Sequence, residues 1–139
     1  FCRHALAAGV PFDVIGTSYY PDWHGDLSGL KQCLNGLAAE FKKPVMVVET
    51  AYPWFPDEHW KDRPHMDWPM TKDGQRRFLA EVLAAVRAVP GGLGRGVFYW
   101  YPEAVPVKDM PVWVGGSCAL FDRNGEVLPA AGFSRPASN

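Results

Sequence analysis

The sequence of 139 residues lacks several features that identify common classes of protein. It has only 3 cysteines, which lie far apart without a Cys-x-x-Cys pair, so a zinc ribbon and a thioredoxin-like site are not expected. The segment GGLGRG precedes a predicted strand instead of following one, which argues against a dinucleotide site, and no GxxxxGK[ST] phosphate loop occurs. We expect Cys2, Cys33 and Cys118 to be free and mostly buried, with one disulfide as the alternative in a secreted protein.

A dominant charge and a long apolar run are also missing. The net charge is -1, so the chain has no basic surface for nucleic acid, and we expect no nucleic-acid partner. No apolar run approaches the roughly 20 residues that span a bilayer, so no membrane partner is expected. No segment has the composition of a signal peptide. Because the chain starts with Phe1 and not with Met, we expect a fragment or a processed product. The lack of a signal peptide therefore does not indicate where in or outside the cell the protein is located.

Aromatic residues are abundant, at 14% of the chain with 6 Trp. Many of them lie beside Pro, Gly and His in polar surroundings, where a tryptophan is costly to expose without a purpose. A flat apolar partner with polar edges, such as a sugar ring, is one such purpose. The composition therefore favours a carbohydrate ligand.

Predicted helices and strands alternate along the chain. They are a helix at 2–9, a strand within 12–21, a helix at 27–43 capped by Asp26, a strand at 45–50, a helix at 72–90 capped by Thr71, a strand at 96–102, a short hairpin at Asn124-Gly125 and a frayed tail at 134–139. The strand VMVVET has no polar alternation, as in a parallel strand that is covered on both faces. This order is typical of βα units on a parallel sheet.

Each strand ends in a polar and aromatic cluster: SYYPDWHG, ETAYPW and YWYPEA. Long loops follow these strand ends, with DWHGD as the first of them, while the connections from helix to strand are short. In (β/α) barrels the site lies at the carboxyl ends of the strands. The pattern therefore predicts a barrel with a carbohydrate cleft.

Glu49 ends the second strand, and a glutamate there is costly unless it is paired, hydrogen-bonded or used. A retaining glycosidase needs a rigid, ionised carboxylate with a second carboxyl about 5 Å away. A structural ion pair with Arg or Lys at the barrel rim remains the alternative. Tyr19 and Tyr20 end the first strand, so one of them should point inward and the other outward. The inward phenol either orients the Glu49 carboxylate or packs at the barrel rim. Trp100 is a sugar platform or a core residue.

The motifs DVIGTSYYPDWHGDLSGLKQCLN, VMVVETAYPW, GQRRFL, GRGVFYWYPEA and ALFDRNGEVLP resemble the C-terminal part of glycoside hydrolase family 53, the arabinogalactan endo-β-1,4-galactanases. The similarity covers almost the whole chain. It implies an α/β fold, a (β/α)8 TIM barrel, of which the chain is about the last three βα units. Residues 1–139 would be the C-terminal portion of one barrel domain, with the N-terminal units absent.

The resemblance implies roles for individual residues. Glu49 would be the nucleophile, and Tyr19 or Tyr20 its neighbouring phenol. Trp100 would be the ring platform at the cleavage subsite. The residues expected to line the rest of the cleft are Trp23, His24 and Trp54. The Asn-Glu pair that supplies the family's acid/base does not occur in residues 1–139.

The implied activity is endo-acting, retaining hydrolysis of β-1,4-galactan in arabinogalactan, by a secreted or extracellular enzyme that is a monomer when complete. We expect residues 1–139 alone to be inactive, and to aggregate or be partly ordered because two sheet edges are open. No cofactor is expected. Some bacterial members hold calcium in the loop after the nucleophile strand, and we expect a solvated loop here, with a cation site as the alternative at Asp57, His59, Asp62, His65 and Asp67.

The chain departs from the family after its last strand. The family reads Tyr-Trp-Glu-Pro-Ala-Trp, whereas residues 99–105 place the glutamate two positions later, at Glu103, and have Val105 in place of the second tryptophan. Three alternatives stay open. They are another retaining glycosidase of the same clan that cuts glucan or mannan, a non-catalytic carbohydrate-binding domain, and a truncated gene product without function.

Overall fold

The computed structural model describes residues 1–133, so the predicted frayed tail lies outside the described residues. The helices are α1 (Cys2–Ala7), α2 (Pro21–His24), α3 (Leu27–Phe41) and α4 (Lys72–Arg87), and the strands are β1 (Ile15–Tyr19), β2 (Val45–Thr50) and β3 (Gly94–Tyr99). Short 3-10 turns lie at Glu58–Trp60, Pro90–Gly92, Trp113–Gly116 and Pro129–Gly132. In the described part of the chain, no helix is both long and apolar enough to cross a bilayer.

The three strands form one parallel sheet in the order β1-β2-β3, which confirms the predicted βα arrangement. Several predicted boundaries were wrong. Helices α1, α3 and α4 end at Ala7, Phe41 and Arg87, before the predicted residues 9, 43 and 90. Pro21 begins the one-turn helix α2 where a loop was predicted, because proline suits the first helical position. Strand β3 spans Gly94–Tyr99 and not the predicted 96–102. It can begin at Gly94 because the missing side chain lets the strand pass against α4; an added Cβ would lie 1.7 Å from the Val86 carbonyl oxygen.

Helices α3 and α4 pack on one face of the sheet and form the core with it. The buried residues of this core include Leu30, Leu34, Ala38, Val45, Val47, Phe78, Leu79, Val82 and Val86. Each large apolar side chain buried in this way stabilises the fold by about 1.5–3 kcal/mol. Both predicted caps are confirmed, since Asp26 Oδ1 accepts from the Gly29 N–H at 2.8 Å and Thr71 Oγ1 accepts from the Gly74 N–H at 3.0 Å.

The opposite face of the sheet is uncovered, and we call it the open face, made of Gly16, Val48 and Phe98. Val48 packs across Gly16, and it is 41% exposed, while Phe98 is 59% exposed. Within the described residues, the prediction that β2 is covered on both faces was therefore wrong for Val48. Helices cover only one side, as in a segment of a barrel whose other face lines the interior.

The three cysteines are free, as expected, but they are not mostly buried. Cys118 is buried, Cys2 is half-buried and Cys33 is exposed on α3. The predicted hairpin is confirmed, since Phe121 pairs with Val127 and Gly125 takes a φ of 80° in the turn between them.

Candidate active site

A register shift in β2 determines where Glu49 points. Val45 and Val47 face the helices, so strict alternation would direct Glu49 to the same side. Thr17 pairs with Val47 and Ser18 pairs with Glu49, which leaves Val48 as an extra residue. As a result Thr50 is fully buried, and its hydroxyl donates to the Tyr19 carbonyl oxygen at 2.6 Å. Glu49 is thereby presented at the strand end beside Tyr20, as bulges near functional sites commonly do.

Tyr20 holds the Glu49 carboxylate. Its hydroxyl donates to Glu49 Oε1 at 2.9 Å. Burial raises the pKa of Tyr20 well above its usual range, and the hydrogen bond to Glu49 raises the pKa further. Tyr20 therefore stays protonated, and stays a donor to the carboxylate, at neutral and mildly alkaline pH.

The three strand ends meet at a cleft of about 260 Å³. It is lined by Tyr20, Asp22, Trp23, Glu49, His59, Trp60, Trp100 and Trp113. Trp23 is 73% exposed and Trp100 is 48% exposed, so both offer ring surface beside the carboxylate. A carboxylate surrounded by indole rings suits a partner with a flat apolar face and polar edges.

A left-handed turn after β3 brings Trp113 to the cleft. Val114 has a φ of 43°, which is unusual for a β-branched residue, and the two glycines that follow have φ values of 60° and 77°. Trp113 lies edge-on to Tyr20, with ring centroids 6.1 Å apart. Ser117 fixes the turn, because its hydroxyl donates to the Val114 carbonyl at 2.9 Å and accepts from Trp60 Nε1 at 2.8 Å.

Three of the predicted site residues lie away from this lining. Tyr19 is buried on the helix side, where it stacks on Phe78 at 6.1 Å. His24 Nδ1 accepts from the Tyr20 N–H at 2.9 Å, so it fixes the backbone of a cleft residue. Trp54 donates from Nε1 to the Gly116 carbonyl at 3.3 Å. The structure thus brings Tyr20, Trp23, Glu49 and Trp100 together and leaves Tyr19, His24 and Trp54 outside.

Four lining residues were not predicted: Asp22, His59, Trp60 and Trp113. The motif DWHG already contained Asp22, and the Pro- and Trp-rich loop contained His59 and Trp60. Their place in the cleft depends on how the segments after β1 and β2 pack against each other, which no local pattern indicates. Trp113 lies far along the chain from its strand end, so only the turn described above reveals it.

A buried polar cluster supports the cleft from behind. Gln75 of α4 is fully buried, and its amide nitrogen donates to the carbonyl oxygens of Tyr52 at 2.9 Å and Ala119 at 3.0 Å. The Tyr99 hydroxyl donates to the Cys118 carbonyl at 2.6 Å, and burial raises the pKa of Tyr99 well above its usual range. These bonds tie the loops after β2 and β3 to α4.

The loop after β2 carries the carboxylates and histidines considered for a cation. Asp57 Oδ1 accepts from the His59 N–H at 3.0 Å, while Asp62 and His65 take left-handed φ values of 58° and 57°. Within residues 1–133, no group of three or more His, Cys, Asp or Glu side chains is arranged to hold a metal ion. The solvated loop remains a prediction.

The family model described as Glycosyl hydrolase family 53 matches residues 1–133. An uncharacterised protein from Niallia circulans is 45% identical over 136 residues, which cover 88% of this chain and 37% of that protein. An arabinogalactan endo-β-1,4-galactanase from Cellvibrio japonicus (strain Ueda107) is 34% identical over 137 residues, which cover 87% of this chain and 35% of that enzyme. The chain thus spans little more than a third of these relatives.

A solved structure agrees with the sequence comparison. The GH53 catalytic domain of Ignisphaera aggregans superposes with a TM-score of 0.86 and 28% identity, over 96% of this chain and 41% of that domain. The parallel strands with helices on one side are therefore part of a (β/α)8 barrel, which confirms the predicted fold class. The open face is the part of the sheet that lines the interior of such a barrel.

Proposed function

The chain belongs to glycosyl hydrolase family 53, and we propose that the complete barrel containing it cleaves internal β-1,4 linkages of galactan with retention of configuration. One observation carries the catalytic part of this proposal. The Tyr20 hydroxyl donates to Glu49 at 2.9 Å, at the end of a parallel strand and inside an aromatic cleft. A nucleophilic carboxylate has to be held in one orientation, and a strand end with a neighbouring phenol provides this.

In the proposed reaction a Glu49 carboxylate oxygen attacks the anomeric carbon, and the bond from that carbon to the glycosidic oxygen breaks. The departing oxygen takes a proton from a second carboxylic acid, which the proposal assigns to a part of the barrel outside residues 1–139. Water then attacks the same carbon, gives its proton to that second group and releases Glu49. Tyr20 keeps its proton throughout and orients the attacking oxygen.

The remaining cleft residues would bind the polysaccharide. Trp23, Trp100 and Trp113 offer ring surface to successive galactose units, which carry no charge. A polymer of this kind does not enter cells, so we propose that the complete protein acts outside the cell. We also propose that it is a monomer, because an endo-acting barrel needs only its own cleft.

The test uses a complete barrel that contains these residues. We expect Glu49→Gln to lower turnover of galactan at least ~1000-fold, because the amide cannot act as the nucleophile. Glu103→Gln is the matched control, since Glu103 is an exposed glutamate in the loop after β3. Azide should restore cleavage to Glu49→Ala and yield a glycosyl azide of inverted configuration. More than a tenth of the parent activity in Glu49→Gln, or a preference for mannan or glucan, would contradict the proposal.

A further inference from the structure

Asp22 is a buried carboxylate in the wall of the cleft. Its side chain is 2% exposed, and in the described residues its Oδ2 atom has no hydrogen-bond partner. A carboxylate removed from water is strongly destabilising unless a charge compensates it. Because the Oδ2 atom is enclosed, a sugar hydroxyl cannot reach it. The compensation has to come from the protein itself.

Arg63, in the loop after β2, supplies this compensation. Its Nη1 atom lies 3.6 Å from Asp22 Oδ2, and its side chain is 34% exposed. Asp22 belongs to α2, directly after β1, while Arg63 belongs to the loop after β2. The pair therefore joins two loops that flank Glu49. Breaking such a pair from one side leaves an uncompensated buried charge.

Arg63 makes two further contacts that a simple ion pair would not need. Its Nε atom donates to the His59 carbonyl at 3.2 Å, and its guanidinium carbon lies 5.8 Å from the centre of the Trp23 ring. His59 and Trp23 both line the cleft, one on each of the joined loops. One planar guanidinium thus lies beside residues of both segments, which a lysine could not do with the same geometry.

We propose that Asp22 and Arg63 form a clasp that holds α2 against the loop after β2 and fixes the orientation of Trp23. In this orientation Trp23 stacks on a neutral sugar ring of the polymer, next to the sugar unit at Glu49. This inference rests on the proposed function. Neither residue touches the reacting carbon, so both are positioning residues. Holding the 73% exposed Trp23 in place before binding reduces the ordering that the substrate would otherwise have to impose.

Kinetics in a complete barrel separate this role from a general structural one. We expect Arg63→Met to raise KM for galactan about tenfold while kcat stays within twofold, because the platform is loosened and the nucleophile is not. The double variant Asp22→Asn with Arg63→Met should recover part of the KM, since it removes the unpaired buried charge. Arg76→Met is the matched control, because Arg76 pairs with Asp73 on the surface of α4, and its KM should be unchanged. An unchanged KM in Arg63→Met, or a loss confined to kcat, overturns the inference.

A second measurement does not depend on hydrolysis. The protein is labelled with 5-fluorotryptophan, and the 19F resonance of Trp23 is identified as the one that is missing from the spectrum of Trp23→Phe. We expect Arg63→Met and the double variant to shift this resonance and narrow it as the ring becomes mobile, and Arg76→Met to leave it in place. An unmoved resonance in both clasp variants overturns the inference. A parent barrel that does not cleave galactan refutes the proposed function, and the 19F result still decides the clasp. If Arg63→Met does not fold, the double variant supplies both readouts.

Discussion

Replacing Gln75 with leucine removes the amide that ties the loops after β2 and β3 to α4. Leucine is of similar size and apolar, so the change removes hydrogen bonds without opening a large cavity. Gln75 Nε2 is within bonding distance of several acceptors, but an amide has only two N–H donors. The two shortest bonds are those to the carbonyl oxygens of Tyr52 at 2.9 Å and Ala119 at 3.0 Å.

The expected cost follows from what is left unpaired. Each buried carbonyl that loses its donor costs about 1–3 kcal/mol. In residues 1–133, Gln75 Oε1 has no hydrogen-bond partner, so leucine also removes one buried unsatisfied acceptor, which offsets about one of the two losses. The net loss in the free energy of unfolding should be about 2 kcal/mol. Because the loops it holds carry the cleft, galactan turnover should become sensitive to temperature well below the melting point.

Urea unfolding of a complete barrel measures this loss, with an unchanged slope as the check that the transition is the same. Gln32→Leu is the matched control, since Gln32 is exposed on α3 and its Nε2 lies 3.5 Å from Ser28 Oγ. It should change stability by no more than about 0.5 kcal/mol. A Gln75→Leu protein as stable as its parent, or an equal loss in Gln32→Leu, would refute the reasoning.

Three further predictions concern the fold. Gly94→Ala should lower the free energy of unfolding by about 3 kcal/mol or prevent folding, because the new Cβ would lie 1.7 Å from the Val86 carbonyl oxygen. In Gly36→Ala the new Cβ meets nothing within 4 Å, so this change should stabilise α3 by about 0.5–1 kcal/mol. Urea unfolding of the two variants measures this difference. Burial raises the pKa of Tyr20 and Tyr99 above the ordinary value of 10.0, so the folded protein holds protons that the unfolded chain releases. Their contribution is therefore complete below pH 10.0 and declines as pH rises further, and a flat urea midpoint between pH 9 and 11 would contradict this. The chain expressed by itself should aggregate through the open face and the sheet edges, whereas a monomeric, cooperative melt in sedimentation and calorimetry would disprove that expectation.

Much of the fold could be predicted from local pattern. The apolar spacing of α3 and α4, their caps at Asp26 and Thr71, and the β-branched run of β2 each depend on residues close in sequence. The start of β3 could not be predicted in this way, because Gly94 lies in a glycine-rich segment that resembles a connection between two elements. Its role as a strand residue follows from its close packing against α4. The exposure of Val48 could not be predicted either, since an apolar run does not indicate which parts of the protein cover each face of the strand.

The candidate site also contains residues that local pattern predicts and residues that only the fold reveals. Polar and aromatic residues at three strand ends predicted that Glu49, Trp100 and one of Tyr19 and Tyr20 meet, because the carboxyl ends of parallel strands share one edge of a sheet. Only the structure decided that this phenol is Tyr20. The contributions of Trp113 and Arg63 were not predictable, because each comes from a loop whose path is fixed by contacts distant in sequence.

The sequence by itself determined which chemistry is available: one glutamate at a strand end, a phenol before it and indoles around it. These follow from residue type and from position along an element. Only the tertiary structure decided how they are used. The extra residue at Val48 directs Glu49 to Tyr20, and the Asp22–Arg63 pair joins α2 to the loop after β2. Such features arise from register and from loop packing, and the energies that set them depend on groups brought together only when the chain folds.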